Sequence, residues 1–134
     1  MNKMKFKSSI LAAATLLFST TLLYSCDDDK DVSQYPKKVK IEYSISSKTK
    51  EIKHGELSFT DSLGKDSTNV AGQVPFNTAF KRMVAKPGEK AKLAFKASGN
   101  GEVKLDIKVD NQIVKTETFK STADSLKASL EYTF

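Results

Sequence analysis

The chain has 134 residues, with 22 Lys and Arg against 16 Asp and Glu, one His, one Cys and no Trp. That is enough for one domain of ordinary size. A lone cysteine excludes a disulfide within the chain and a Cys-based zinc site, and basic residues spread without an aromatic-studded stripe exclude a nucleic-acid-binding protein.

In chain order, Met1–Lys7 is a positive segment carrying Lys3, Lys5 and Lys7, and Ile10–Leu23 is predominantly apolar, diluted by Thr15, Ser19, Thr20 and Thr21. As a helix this stretch would rise about 21 Å, short of the roughly 30 Å hydrocarbon core of a bilayer. It suits the apolar region of an export signal better than a permanent span.

The next four residues, Leu23-Tyr24-Ser25-Cys26, resemble the lipobox of bacterial lipoproteins: aliphatic at −3, small at −1, cysteine at +1. Tyr24 at −2 is bulkier than is usual there. The resemblance implies that the Cys26 thiol takes a diacylglyceryl group and that cleavage before it makes Cys26 the first residue of the mature protein. Two or three acyl chains on one residue attach a protein firmly, where one chain alone binds marginally. Removing residues 1–25 takes away their three lysines and no acid, which halves the formal net charge of +6.

Asp27-Asp28-Asp29-Lys30-Asp31 follows directly. This run resembles the acidic export signal behind the lipidated cysteine of Bacteroidota surface lipoproteins, which implies an outer-membrane, surface-exposed protein. By composition alone it is a solvated tether, which leaves a periplasm-facing protein open. Residues Asp27–Pro36 extend at most about 33 Å.

From Val39 onward, period-two alternation dominates. Val39, Ile41, Tyr43 and Ile45 alternate with Lys40, Glu42 and Ser44. Leu57 and Phe59 alternate with polar neighbours, and Phe76, Thr78 and Phe80 share one face. Ala91–Ala97, Val103–Val109 and Leu126–Phe134 repeat the pattern. Turn residues separate the runs at Ser62–Asp66, Lys86–Glu89 and Ser98–Gly101, and Asp110-Asn111 suits a tight hairpin that needs positive φ. About seven short strands over residues 37–134 predict an all-β fold, a single antiparallel, immunoglobulin-like β-sandwich behind the signal (1–25) and tether (26–36). A transmembrane barrel is the rival for a final strand ending in Phe134, but the runs are short for it and lack aromatic girdles.

Catalytic equipment is not evident. His54 is the single histidine, in a Lys-rich connection that reads as a solvated loop. Cys26 is occupied by lipid, and no nucleophile-elbow motif occurs. Asp61–Asp66 lacks the ligand order of a calcium loop and reads as a turn. Most Phe and Tyr positions fall on core faces, with Tyr35 and Phe119 as the candidates for exposure. The expectation is a protein that is not an enzyme and needs no cofactor or metal.

Val74-Pro75-Phe76-Asn77-Thr78-Ala79-Phe80, the strand Ala91–Ala97 and the hairpin Val103–Val114 resemble small MmpS-like β-sandwich domains, with Phe76 in place of the family's Trp and Asn111 in place of its Gly. That resemblance implies a membrane-attached accessory protein and carries no site residues. The expected function is therefore an anchored module that binds another envelope protein, with glycan or host-matrix binding as the alternative.

Overall fold

The computed structural model describes residues 34–49, 51–67 and 70–134. They form eight strands: β1 Lys37–Ser47, β2 His54–Phe59, β3 Val70–Gln73, β4 Phe76–Val84, β5 Lys90–Ser98, β6 Gly101–Val109, β7 Gln112–Ser121 and β8 Ser125–Thr133. Two four-stranded sheets result, ordered β4-β1-β6-β7 and β3-β2-β5-β8, with every pairing antiparallel. The all-β sandwich expected from the alternation is present, with eight strands in place of about seven.

The strand order has a simple logic. In each half of the chain the outer strands pair around an inner hairpin: β1 with β4 around β2–β3, and β5 with β8 around β6–β7. The β1–β6 and β2–β5 pairings then join the halves. The two-sheet architecture is shared with immunoglobulin domains, but not their ABED and CFG order. The neighbour pairs are those of an eight-stranded jelly roll with the chain ends displaced by two strands.

The alternating residues become the core because neighbouring side chains on a strand point to opposite faces. Ile41, Tyr43, Leu93, Val103, Leu105 and Ile107 are fully buried, and Leu57, Phe95, Leu126 and Leu130 nearly so. Each such side chain contributes about 1.5–3 kcal/mol through burial. The intervening Lys, Glu, Asp and Ser residues face outward. Tyr35 and Phe119, expected as possible exposed aromatics, are both partly buried against this core, as is Phe134.

Glu42 holds both Lys40 and Lys108 on the outer face of the first sheet, and Glu102 holds Lys48 and Lys120. The Lys108 ammonium keeps Glu42 below the ordinary carboxylate range, and Lys120 does the same for Glu102. This face is largely self-neutralised.

The register fixes the two ends of the sandwich. Lys37, where the chain enters, lies opposite Val84, and Thr133 lies opposite Lys90. The β4–β5 turn and the Asp110–Asn111 hairpin, with φ of 50° and 71°, sit at this entry end. The far end carries the β1–β2, β3–β4, β5–β6 and β7–β8 connections.

Candidate functional site

The far end holds a groove of about 670 Å³ between the start of β2 and the β5–β8 pair. Its origin is a parting of strands. β2 pairs with β5 only from Glu56, opposite Lys96, onward, whereas β5 and β8 stay paired out to Ser98 and Ser125. His54 and Gly55 instead stay paired with Gln73 and Gly72 of β3. The gap left beside Ala97 and Leu126 is the groove.

Gly55 permits this crossing. A Cβ there would collide with the Lys96 carbonyl oxygen and stand 2.7 and 2.8 Å from carbons of the Phe95 ring. Only a residue without a side chain lets β2 lie so close to β5.

Ala97 and Leu126 are buried in the floor. Around them stand Glu51, Lys53, Glu56, Lys96 and Lys127, all exposed. No ion pair joins these charges among the described residues, unlike the paired charges of the first sheet. The groove thus has a floor closed by Ala97 and Leu126 and a rim of charges of both signs that no ion pair among the described residues neutralises. His54 lines it as the exposed first residue of β2, so it belongs to a strand and not to the loop expected from its Lys-rich surroundings.

The Asp61–Asp66 segment is a turn. Asp61 accepts hydrogen bonds from the backbone N–H of Leu63 and Lys65 at 2.8 and 2.9 Å, and these hold its carboxyl below the usual range. Asp66 accepts from the Thr60 hydroxyl at 2.7 Å and pairs with Lys92 at 3.3 Å. Both carboxylates are committed within the protein. Among the described residues, no group of three or more His, Cys, Asp or Glu is placed to hold a metal.

A second polar cluster occupies the entry end. Arg82 is only 3% exposed; it donates to Glu89 and to the Lys90 carbonyl, each at 2.7 Å, and lies 5.7 Å from the Phe134 ring centroid. Its Nε has no hydrogen-bond partner among the described residues. Sequence reading gives Arg82 no role, although a lone Arg on the inward register of Phe76, Thr78 and Phe80 is a visible signal.

The lipobox residues Leu23, Tyr24, Ser25 and Cys26, and the acidic residues Asp27, Asp28 and Asp29, lie outside the described residues. Compared with known proteins, the chain matches no family model and no curated protein.

Proposed function

We propose that this chain is a lipoprotein held in the outer membrane through Cys26 and displayed at the surface, and that its β-sandwich is a non-enzymatic module docking another envelope protein. The N-terminal order of basic segment, apolar stretch, lipobox and acidic run supports the anchor. The observation that carries the docking reading is the placement of the groove. The chain enters at Lys37, opposite Val84, while the groove opens at the other end of the strands, beside Ser98 and Ser125. An anchor ahead of Lys37 leaves that end free to meet a partner.

An extended segment carrying charges of both signs suits the Lys and Glu rim around the Ala97–Leu126 floor. None of the groove's lining residues is Phe, Tyr or Trp, so the ring platform that a sugar-binding site uses for stacking is not offered there.

The test is a photo-crosslinking amino acid placed at Lys96 in the groove or at Lys104 on the self-neutralised sheet, in intact cells. The expected result is one discrete adduct from position 96 and none from position 104. No adduct at 96, or the same adducts from both positions, would overturn the docking reading.

A further inference from the structure

Each sheet of an open sandwich has two edges whose unpaired backbone groups can recruit another strand. Three of the four edges here are guarded. β3 has only four residues. β7 carries a bulge, and Lys115 and Glu117 occupy its core-side register opposite Ile107 and Leu105; inward charges and bulges both discourage pairing. β8 lies against β7, closing that side of the sandwich.

β4 is long and has no bulge, and the one charge on its inward register, Arg82, is already compensated by Glu89. It pairs with β1 without a break over nine residues, from Val84 opposite Lys37 to Phe76 opposite Ile45. Its core-side rings Phe76 and Phe80 are only partly buried, and Met83 on its outer face is 55% exposed.

The direction of the free backbone groups follows from β1. Lys40 exchanges backbone contacts with Asp110 at the end of β6: its N–H donates to Asp110 Oδ1, and its carbonyl accepts from the Asp110 N–H. Alternation along a strand then turns the groups of Val39, Ile41, Tyr43 and Ile45 toward β4. Their partners are Arg82, Phe80, Thr78 and Phe76, so the N–H and C=O of Asn77, Ala79, Lys81 and Met83 face outward.

We propose that two copies of this chain pair edge to edge through β4, antiparallel about a two-fold axis at Phe80. This register alone matches every residue of β4 with one of its copy. It sets Phe80 against Phe80, Ala79 against Lys81, Asn77 against Met83 and Thr78 against Arg82, with no like charges opposed. A two-fold at Lys81 would oppose two ammonium groups, which is destabilising. The Phe80 position is a non-hydrogen-bonded pair, where side chains approach most closely, so the partly exposed rings cover each other. Such an interface is isologous and closes at two copies.

The geometry also suits the proposed anchor, on which this one step rests. The two Lys37 entry points would stand about 26 Å apart along the strand direction, four residues either side of Phe80 at about 3.3 Å each. Each is preceded by a tether of up to about 33 Å, so a pair lying along the surface can hold both anchors in one membrane.

The experiment uses full-length protein carrying Asn77→Cys, extracted from membranes in mild detergent and labelled with a thiol nitroxide for dipolar distance measurement. The paired register places the two labelled Cα atoms about 20 Å apart, six residues along the strand. Ala79→Pro should abolish the dipolar signal while leaving the fold intact, because the Ala79 N–H is not used by β1. Lys81→Pro, where the same holds, serves as the second variant should Ala79→Pro not fold. A distance that differs by more than about 10 Å, a slip of three residues along a strand, would overturn the pairing. So would uncoupled spins in the parent, or a signal surviving in the folded proline variant. Label stoichiometry separates this proposal from the anchor: one label per chain is expected if lipid blocks Cys26, whereas two would remove the anchor reading and leave the distance test standing.

Discussion

Arg82 and Glu89, seven residues apart across the β4–β5 turn, meet at 2.7 Å with the guanidinium almost wholly buried. The other Glu89 oxygen accepts from the backbone N–H of Ala85 at 2.8 Å and of Lys86 at 3.3 Å. One carboxylate thus compensates a buried charge and shapes the turn. Glu89→Ala leaves the guanidinium without its counter-charge; breaking a buried pair costs about 3–5 kcal/mol. Because the Glu89 side chain is 23% exposed, solvent screens part of that and we expect about 2 kcal/mol, read as a lower urea midpoint with an unchanged slope. A loss below about 0.5 kcal/mol, the size of an ordinary surface substitution, would show that solvent compensates Arg82.

Acid should weaken the fold through the same carboxylate. Burial pushes the Glu89 carboxyl up, but hydrogen bonds from Arg82, Ala85 and Lys86, with the Arg82 charge, outweigh it and hold it below its ordinary 4.5. Asp66, bonded by the Thr60 hydroxyl and Lys92, lies below its ordinary 3.8. A group whose folded pKa is depressed contributes stability that is present above its unfolded value and lost as pH falls through its folded value. Stability should therefore stay level from neutrality down to about pH 5 and decline below about pH 4.5. In Glu89→Gln the decline should be shallower. An identical acid slope in that variant would remove Glu89 from the account.

Much of the fold was legible because most strands have one buried and one wet face. β1, β5, β6 and β8 are alternating runs in which the apolar member points inward. β3 carried no such signal: its one buried residue is Gly72, which packs against Leu57 without a side chain of its own. β7 was visible only as the far arm of the Asp110–Asn111 hairpin. As an edge strand with charges on both faces, it has no apolar period. The groove was illegible for a different reason. It depends on where β2 parts from β5, a property of register that no local pattern encodes, and Gly55 reads in the sequence as an ordinary loop glycine. His54 was found as a residue but placed in a loop, because its Lys-rich neighbours mask the strand that begins there.

Gly55 is the residue on which the groove depends. Gly55→Ala sets a methyl group against the Lys96 carbonyl and the Phe95 ring, and overpacking of this kind costs about 1–3 kcal/mol. Since the obstacle includes backbone, we expect the upper half of that range, with altered Phe95 ring resonances by NMR. Gly88→Ala is the control for added bulk, since a Cβ there meets nothing within 4 Å, although its φ of +93° carries a conformational cost of its own. A Gly55→Ala protein as stable as the parent would mean that β2 can lift from β5 without loss.

The β6–β7 hairpin offers a test of backbone conformation. Asp110 and Asn111 both have positive φ, as a two-residue type I′ turn requires. Asn111 Oδ1 also accepts from the Lys40 ammonium at 3.0 Å, an exposed contact. Asn111→Gly relieves the backbone and gives up only that contact, so stability should change by less than about 0.5 kcal/mol. Asn111→Val, β-branched and poorly tolerated at positive φ, should cost about 1–2 kcal/mol. Thermal melts of the two variants give the comparison, and equal melting temperatures would contradict a conformational origin.

Cys26→Ala separates the proposed anchor from the fold. The sandwich is built from residues beyond Lys37 and uses no thiol, so its stability in urea should be unchanged, within about 0.5 kcal/mol. Attachment should change completely. Each buried methylene of an acyl chain contributes about 0.8 kcal/mol, and chains on one residue act together. Losing them should abolish incorporation of labelled palmitate and move the protein from the membrane to the soluble fraction, apart from precursor retained by its uncleaved signal. The precursor keeps the signal segment and runs heavier on a gel, so the two membrane-bound forms can be told apart. Processed Cys26→Ala protein that still sediments with membranes would mean that something other than Cys26 holds the chain there.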